Sequence, residues 1–385
     1  MDVVKRKPYF KIMFFILIVL NLYVEVNTLS YSSTQVKPMV TLEEKIWIAG
    51  DGDVSHYRIP LLTYTPQKNL LAMAEARKYD TSDAGSKFLA IRRSNDKGYS
   101  WKPQQFIEND GSIFDGISLG SVVVDDELGN IFIVFSRCNH YEKCNISSLY
   151  YVKSEDDGYT WNKPVNMSVQ IGTKAFAAGP GYGIQLKNSK YKGRLLVCGH
   201  GTLEGDGMFC LISDDHGNKW RYGGMLKSIP YNKPKVSGDF IPDECQPLEM
   251  PDGTVIVNIR NQGKYHCHCR IIAKSADGGD TFLLDDVYFD ENLIDPTVAA
   301  GALIQNGVMF FSNPMSTTHR VNMTLHWSHD FGKTWNYTLN IWPNPSGYST
   351  MTAIPGLEDS VYILYEKGIV ATYESLSFVK ISLYP

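Results

Sequence analysis

The chain has 385 residues, of which 43% are hydrophobic and 20% are charged, and its formal net charge is −4. This composition predicts a packed core and excludes the highly charged, apolar-poor class of disordered proteins. The acidic balance argues against a nucleic-acid-binding protein, which carries a basic surface. Length alone allows two or three domains, but large all-β folds exceed that rule.

The N-terminal region has the features of a secretory signal peptide over residues 1–28. Four basic residues among the first eleven precede an uncharged apolar run over residues 12–19, and small residues follow at 26–28. This run is shorter than the ~20 residues that a membrane-spanning helix needs, and an uncleaved anchor is the alternative. We therefore expect an extension over residues 29–44, a folded domain over residues 45–385, and no transmembrane span after signal removal.

The sequons and the cysteines are also consistent with the secretory pathway. The chain has seven cysteines, and Cys138 and Cys144 are close enough in sequence to close a small loop in an oxidising compartment. The odd number leaves at least one free thiol or an intermolecular bridge. Sequons behind a signal peptide predict a glycoprotein. They begin at Asn145, Asn166, Asn322 and Asn336.

Six segments along the chain show a strand, a turn and a second apolar strand. Gly, Asp and Asn mark several of the turns, as at residues 251–253 and 305–307. Each unit spans about 57 residues, slightly more than the usual length of a four-stranded blade. No long amphipathic helix is predicted. We predict an all-β, six-bladed β-propeller, closed by pairing of residues near 46–48 with a strand over 378–383. The second strands are expected at Leu70–Arg77, Ile131–Arg137, Arg194–His200, Val255–Arg260, Val308–Asn313 and Val361–Glu366.

An eight-residue motif, Ser-x-Asp-x-Gly-x-x-Trp, recurs five times, with Phe in place of Trp in one copy. The Asp accepts backbone N–H bonds and the Gly takes a positive φ, so the motif predicts a tight turn between two strands, packed on the aromatic ring. We interpret the repeat as structural, without chemistry. The copies begin at Ser94, Ser154, Ser213, Ser275 and Ser328, spaced by 60, 59, 62 and 53 residues.

Charged residues stand where three inner strands are expected to end: Arg77, Arg260 and Glu366. In a propeller such ends converge on one mouth of the central channel, and charged groups are costly to bury unpaired. The pattern therefore predicts a polar site at that mouth.

From about residue 45 onward the chain resembles the sialidases, or exo-α-neuraminidases. The resemblance rests on Tyr57-Arg58-Ile59-Pro60 followed by the repeats, which match the Asp-boxes of that family. Within that family, animal lysosomal sialidase is resembled by the stretches EARKYDTSDAGSKF, VCGHGTLEGDG, PDECQP, RNQGKYHCHCR, NPSGYS and LYEKG. The resemblance implies a propeller enzyme without a cofactor.

By this resemblance, three arginines hold the carboxylate of sialic acid: Arg58, Arg260 and Arg320. Planar guanidinium groups pair bidentately with a carboxylate, which suits them to this ligand. Glu366 is expected to steady Arg58, and Arg77 is expected to face the O4 side of the sugar.

Tyr348 matches the family nucleophile, and Glu244 matches its base. The carboxylate of the substrate disfavours an anionic nucleophile, and sialidases are the tyrosine exception among glycosidases. A phenol with a reference pKa of about 10 needs a base beside it. Asp83 matches the general acid/base, with Asp80 as a nearby competitor. The residues expected to line the N-acetyl and glycerol side are Asn109, Asp110, Asp115 and Tyr182.

The segment His266-Cys267-His268-Cys269 has the residue types of a metal site. Alternate side chains of a strand point to opposite faces, so the four would not easily converge on one tetrahedral ion. We therefore expect no metal.

These features predict a retaining exo-sialidase that hydrolyses terminal α-linked sialic acid from glycoproteins, oligosaccharides or glycolipids. A trans-sialidase and a non-catalytic sialic-acid-binding propeller are the alternatives. The resemblance implies a lysosomal location and a carboxypeptidase-like protective protein as partner. Residues 382–385 lack the Tyr-x-x-apolar tail of the lysosomal relative, so a secreted or membrane-associated protein is the alternative.

Overall fold

The computed structural model describes residues 35–83, 85–109, 115–139, 147–172, 175–202 and 205–384. The predicted signal peptide lies outside these ranges. None of the helices in the described residues has the length and apolar character of a membrane span. Several predicted side chains also lie outside the description: those of Asn109, Asp110, Asp115, Cys138, Cys144 and Asn145.

After β1 (Met39–Ile48), the strands up to residue 294 form four separate sheets. The first sheet contains β2 (His56–Tyr64), β3 (Leu70–Arg77), β4 (Lys87–Ser94) and β5 (Gln105–Asn109), in that order. The second contains β6 (Asp115–Asp125), β7 (Asn130–Asn139), β8 (Ser147–Ser154) and β9 (Val165–Asn166), with β11 (Gly181–Tyr182) parallel to β6.

The third sheet contains β10 (Ala175–Ala177), β12 (Ile184–Gln185), β13 (Leu195–Thr202), β14 (Gly205–Ser213) and β15 (Arg221–Lys227). The fourth contains β16 (Pro242–Glu249), β17 (Val255–Asn261), β18 (Cys269–Ser275) and β19 (Tyr288–Ile294). The described helices are short: α1 (Ser168–Ile171) and 3₁₀ turns at Asp51–Asp53 and Leu284–Asp286.

The remaining strands join β1 in one seven-stranded sheet. They are β20 (Gly301–Gln305), β21 (Val308–Pro314), β22 (Val321–Ser328), β23 (Tyr337–Thr352), β24 (Ser360–Lys367) and β25 (Ser375–Ser382). The expectation of six separate blades is therefore corrected. The 16-residue strand β23 is the reason, because it pairs with β22 along its first part and with β24 along its second. The propeller arrangement thus contains four separate sheets and one larger sheet.

The pairing of β1 with β25 closes this sheet. The register runs from Met39 opposite Ser382 to Ile48 opposite Ser375, which confirms the predicted pairing of the two ends of the domain. Trp47 is only 2% exposed in this pairing. β1 begins at Met39, within the segment that the sequence assigned to an N-terminal extension.

The second strand of each unit is deeply buried. All eight residues of β3 and all eight of β24 are buried. The six predicted second strands coincide within two residues with β3, β7, β13, β17, β21 and β24. A short continuous apolar run predicts a strand covered on both faces, and each fully buried Leu or Ile contributes about 1.5–3 kcal/mol.

The five repeated motifs form the same hydrogen-bonded turn after the third strand of their units. In each copy the Ser Oγ donates to the Asp Oδ1 over 2.6–3.0 Å and accepts the Gly N–H over 2.8–2.9 Å. The Asp Oδ1 also accepts the N–H of the seventh residue over 2.8–2.9 Å. The glycine φ lies between 81° and 92°, a region that other residues avoid.

The second copy of this turn shows how the repeats connect neighbouring sheets. A Cβ on Gly158 would lie 2.6 Å from Leu71 of the preceding sheet, so a side chain does not fit there. Arg93 of that sheet pairs with Asp157 of the turn. This copy of the repeat therefore connects two neighbouring sheets.

The repeated turns and the charged strand ends lie at opposite ends of the strands. Leu70, at the start of β3, pairs with Ser94 of the first repeat, while Arg77 ends β3. Seven steps of about 3.3 Å separate the two ends by about 23 Å. The turns therefore cannot contribute to a site at the mouth that contains Arg77.

Candidate active site

Glu366 lies near the end of β24 with its side chain completely buried. One carboxylate oxygen accepts the Nε–H of Arg58 at 3.0 Å and the backbone N–H of Ile59 at 3.3 Å. The other oxygen accepts the backbone N–H of Tyr348 at 2.9 Å. Gly347 leaves room for this oxygen, because a Cβ there would lie 2.2 Å from it. One carboxylate thus fixes β2 relative to β23.

The hydroxyl group of Tyr348 lies between Glu244 and Arg260. It donates to Oε1 of Glu244 at 2.6 Å and accepts from Nη1 of Arg260 at 2.6 Å. Nη1 of Arg260 also donates to Oε2 of Glu244 at 2.6 Å. Burial, and then the charge of Glu244, raise the pKa of Tyr348. The phenol is therefore neutral in the free protein, with its proton directed at a carboxylate.

Arg58, Arg260 and Arg320 surround the ring of Tyr348. Their guanidinium carbons lie 5.4, 5.9 and 5.3 Å from the ring centroid. Arg58 comes from β2, Arg260 from β17, and Arg320 from the residue before β22. Three cations from three sheets around one ring make a positive pocket suited to an anionic ligand.

Buried carboxylates keep two of these arginines charged. Burial alone would lower the pKa of Arg58, but Glu366 raises it well above its ordinary value. Burial acts in the same direction on Arg260, and the charge of Glu244 again outweighs it, so its pKa is also raised. Both guanidinium groups are therefore held in their charged form.

Asp83 lies on the loop after β3, with its side chain 85% exposed. Its Oδ1 is 2.8 Å from Nη2 of Arg77 and 3.4 Å from Nη1 of Arg58. Partial burial raises the pKa of Asp83, but Arg77 and Arg58 outweigh it, and the pKa is lowered overall. The competitor Asp80 instead accepts the backbone N–H of Ser82 at 2.8 Å.

Arg77 is buried and holds the loop of Asp83. Its Nε and Nη2 donate to Glu75 at 3.1 and 2.8 Å, and its Nη1 donates to the carbonyl of Thr81. Lys87 lies 3.4 Å from the same Glu75 oxygen and donates to the carbonyl of Asp83 at 2.7 Å. The expected contact of Arg77 with the sugar stays a prediction.

Three residues of this site were missed from the sequence. The ring of Tyr373 lies 4.0 Å from the guanidinium of Arg58, and its hydroxyl accepts from Nη1 of Arg320 at 2.8 Å. Glu75 pairs with Arg77 and Lys87, and these two cations in turn contact Asp83. A charge within the apolar strand β3 was the available signal for Glu75, whereas Tyr373 lies in a loop with no such pattern.

Tyr182 does not join the cluster. Its hydroxyl donates to the carbonyl of Ala302 at 2.8 Å, and its backbone lies beside Val122 of β6. It lines a cavity of about 350 Å³ with Tyr64, at the far end of β2 from Arg58. Tyr182 therefore lies outside the arginine cluster, and its expected contact with the substrate stays a prediction.

The cysteines do not form a metal centre in the described part of the chain, where no group of three or more His, Cys, Asp or Glu is arranged to hold an ion. Cys267 and Cys269 form a disulfide, as do Cys198 and Cys210, and Cys245 is a buried free thiol. The strand assumed for residues 266–269 is wrong, because β18 begins only at Cys269.

The described sequon residues differ in exposure. Asn166 and Asn336 are exposed, whereas Asn322 is half-buried. The amide of Asn322 donates to the carbonyl of Met315 at 3.1 Å. A glycan would replace one of the two amide hydrogens of Asn322 and leave the other for this hydrogen bond.

Comparison with known proteins identifies the family of the chain. A family model described as a BNR repeat-like domain matches residues 68–360. A sialidase of Micromonospora viridifaciens is 30% identical over 371 residues, covering 89% of this chain and 54% of the relative. Sialidase-2 of Mus musculus is 26% identical over 306 residues, covering 72% of this chain and 74% of the relative. The chain therefore belongs to the sialidase family, whose repeat domain it carries, and it spans about half the length of the Micromonospora relative.

Solved structures show the same fold. A Hadza microbial sialidase superposes with a TM-score of 0.74 at 24% identity, covering 89% of this chain and 68% of that one. The leech intramolecular trans-sialidase superposes with a TM-score of 0.70 at 18% identity, covering 89% and 70%.

Proposed function

We propose that the protein is a retaining exo-sialidase that releases terminal α-linked sialic acid. One observation carries the proposal: three arginines surround Tyr348, and the hydroxyl of Tyr348 is hydrogen-bonded to Glu244. The arginines fit a ligand with a carboxylate on its reacting carbon. An uncharged phenol can approach that carbon where a second carboxylate would be repelled.

Binding of the ligand carboxylate prepares Asp83 to act as an acid. In the free protein Asp83 pairs with Arg77 and with Arg58, and together they lower its pKa. A ligand carboxylate that takes over Arg58 removes this partner and brings a second negative charge nearby. Both changes raise the pKa of Asp83, so it can hold the proton that the leaving oxygen needs.

Tyr348 attacks the anomeric carbon while Glu244 accepts its phenolic proton. The bond between the anomeric carbon and the leaving oxygen breaks, and Asp83 protonates that oxygen. Water then attacks the same carbon after losing a proton to Asp83. Tyr348 leaves and recovers its proton from Glu244, which restores the starting state. Because the free Tyr348 has a raised pKa, this sequence depends on the base at the moment of attack.

A fluorogenic sialoside tests the proposal between about pH 3.5 and 7, the range in which a carboxylic acid and its base can act. The wild type should release the fluorophore, and Tyr348→Phe should not. Tyr182→Phe is the matched control, since it removes a tyrosine hydroxyl outside the cluster and should retain activity. A wild type without hydrolysis at every pH would leave the sialic-acid-binding propeller as the better interpretation.

A trans-sialidase is the second candidate, because the leech protein with this fold is an intramolecular trans-sialidase. Product analysis with added lactose distinguishes transfer to an acceptor, which gives sialyllactose, from hydrolysis, which gives free sialic acid. Intramolecular transfer would give an anhydro sugar instead.

We also propose that the protein enters the secretory pathway and reaches the lysosome as a glycoprotein. The basic and apolar N-terminal pattern, the sequons and the resemblance to lysosomal sialidase support this. The same resemblance supports a carboxypeptidase-like protective protein as partner. Localisation of a tagged protein, and activity with and without that partner, test these points.

A further inference from the structure

A buried polar network adjoins the arginine cluster and contacts it through Arg320. The proposed catalytic steps do not involve this network. Arg270 of β18 has no exposed surface. Its Nη1 donates to Oδ2 of Asp295 at 3.2 Å and to the carbonyl of Val298 at 2.7 Å. Its Nε donates to Oδ1 of Asn258 at 2.7 Å. The guanidinium therefore contacts residues 295–298 at two points.

Asp295 holds the same segment from the other side. Its Oδ1 accepts the backbone N–H of Thr297 at 2.8 Å and that of Val298 at 3.1 Å. Its Oδ2 also accepts the side-chain amide of Asn313 at 3.0 Å. Between them, Arg270 and Asp295 fix both the N–H and the C=O of Val298.

The segment is held in a conformation that its sequence does not favour. Thr297 has a φ of 68°, in the left-handed region that β-branched residues avoid. Its carbonyl accepts Nη2 of Arg320 at 3.0 Å. A strained residue held by surrounding contacts and directed at a functional group is typical of pre-organised sites.

Stability alone is a weak explanation for the network. A buried ion pair often contributes no more to stability than apolar residues of the same volume. Nη2 of Arg270 is buried and has no hydrogen-bond partner among the residues that the structure describes. A buried donor without a partner carries a desolvation cost, which fold stability does not require.

We propose that Arg270 and Asp295 are positioning residues for the carboxylate site. They hold residues 295–298 so that the carbonyl of Thr297 orients the guanidinium of Arg320 toward the ligand carboxylate. This inference rests on the proposed sialidase function and adds residues to it that do not touch the ligand.

The test measures the Kd of the 2,3-unsaturated analogue of sialic acid by calorimetry. Arg270→Lys should weaken binding about tenfold, through loss of its coupling to Arg320. Thr297→Gly should also weaken binding while Tm is unchanged or raised, since glycine adopts this φ without strain. This second variant keeps the test valid if Arg270→Lys folds poorly. In an Arg320→Ala background, neither substitution should weaken binding further.

Arg93→Lys is the matched control, because Arg93 forms a buried pair with Asp157 at the opposite end of the strands. It should lower Tm without changing the Kd. Unchanged binding in both variants, or equal losses with and without Arg320, would overturn the inference while the proposed function stands. A wild type that binds no analogue would overturn the proposed function and the inference together.

Discussion

The hydroxyl of Tyr348 donates to Oε1 of Glu244 over 2.6 Å, although 104 residues separate the two in sequence. Both groups are buried, and the contact keeps the phenol neutral with its proton already directed at a base. A nucleophile of this kind gains reactivity only as the base removes its proton.

Glu244→Gln should lower kcat by about 10²- to 10⁴-fold, the usual contribution of a positioned base. The amide still fills the space and can accept a hydrogen bond, but it cannot take up the phenolic proton. Because Tyr348 and Glu244 act as a unit, Tyr348→Phe combined with Glu244→Gln should be no slower than the slower single variant. Steady-state kinetics of the three variants check this, and multiplicative losses would contradict it.

Gly347→Ala should raise KM for a sialoside about tenfold. The corresponding loss of binding free energy is smaller than the cost of breaking a buried ion pair. The added Cβ would lie 2.2 Å from Oε2 of Glu366 and displace the carboxylate that holds Arg58. Gly307→Ala is the control for KM: a Cβ there meets no atom within 4 Å, but alanine is strained at its φ of 74°, so Tm should fall while KM stays at the wild-type value. If both variants keep the wild-type KM, Glu366 does not set the position of Arg58.

The pH dependence of kcat and of kcat/KM should differ. The pKa of Asp83 is lowered in the free protein by Arg77 and Arg58. Under the proposed function, a bound carboxylate should remove the pairing with Arg58. The acid must be protonated, so activity falls as pH rises through its pKa. This decline should therefore begin at lower pH in kcat/KM, which reports the free enzyme, than in kcat. Coincident profiles would mean that Asp83 does not respond to the ligand.

Asp330→Ala should lower Tm by a few degrees near neutral pH, because the turn loses the hydrogen bonds to its carboxylate. The hydrogen bond from Ser328 is the first cause that lowers the pKa of Asp330 to about 2. Because the pKa of Asp330 is lowered on folding, its carboxylate stabilises the folded state at pH values above the ordinary pKa of an aspartate. This stabilisation is lost as the pH falls toward about 2. The Tm difference from wild type should therefore shrink between about pH 4 and pH 2. A constant difference would assign the loss to packing.

Much of the fold could be predicted from apolar runs and the repeated turn, since both are local signals. The second strands needed only a short buried run each, as in β3 and β24. The continuity of β23 could not be predicted, because the exposed residues in its first half give no core pattern. The metal argument at residues 266–269 assumed a strand where the chain bends.

The residues of the candidate site also fall into those with a local sequence signal and those without one. Residues such as Arg58, Tyr348 and Glu366 stand in recognisable motifs, and the structure brings them together. Tyr373 and Arg270 act through contacts between loops and strands that are distant in sequence. Nothing in their local sequence distinguishes them from ordinary packing residues, so only the folded structure could identify them.

The pairing of β1 with β25 has a consequence for biosynthesis. The hydrogen bond from Thr41 to Lys380 spans 339 residues. At about 5–20 residues per second, the ribosome releases β1 roughly 20 to 70 seconds before its partner has been made. Throughout that interval β1 is an unpaired strand open to aggregation. Premature termination before β25 would therefore leave the ring open, however complete the catalytic residues already synthesised.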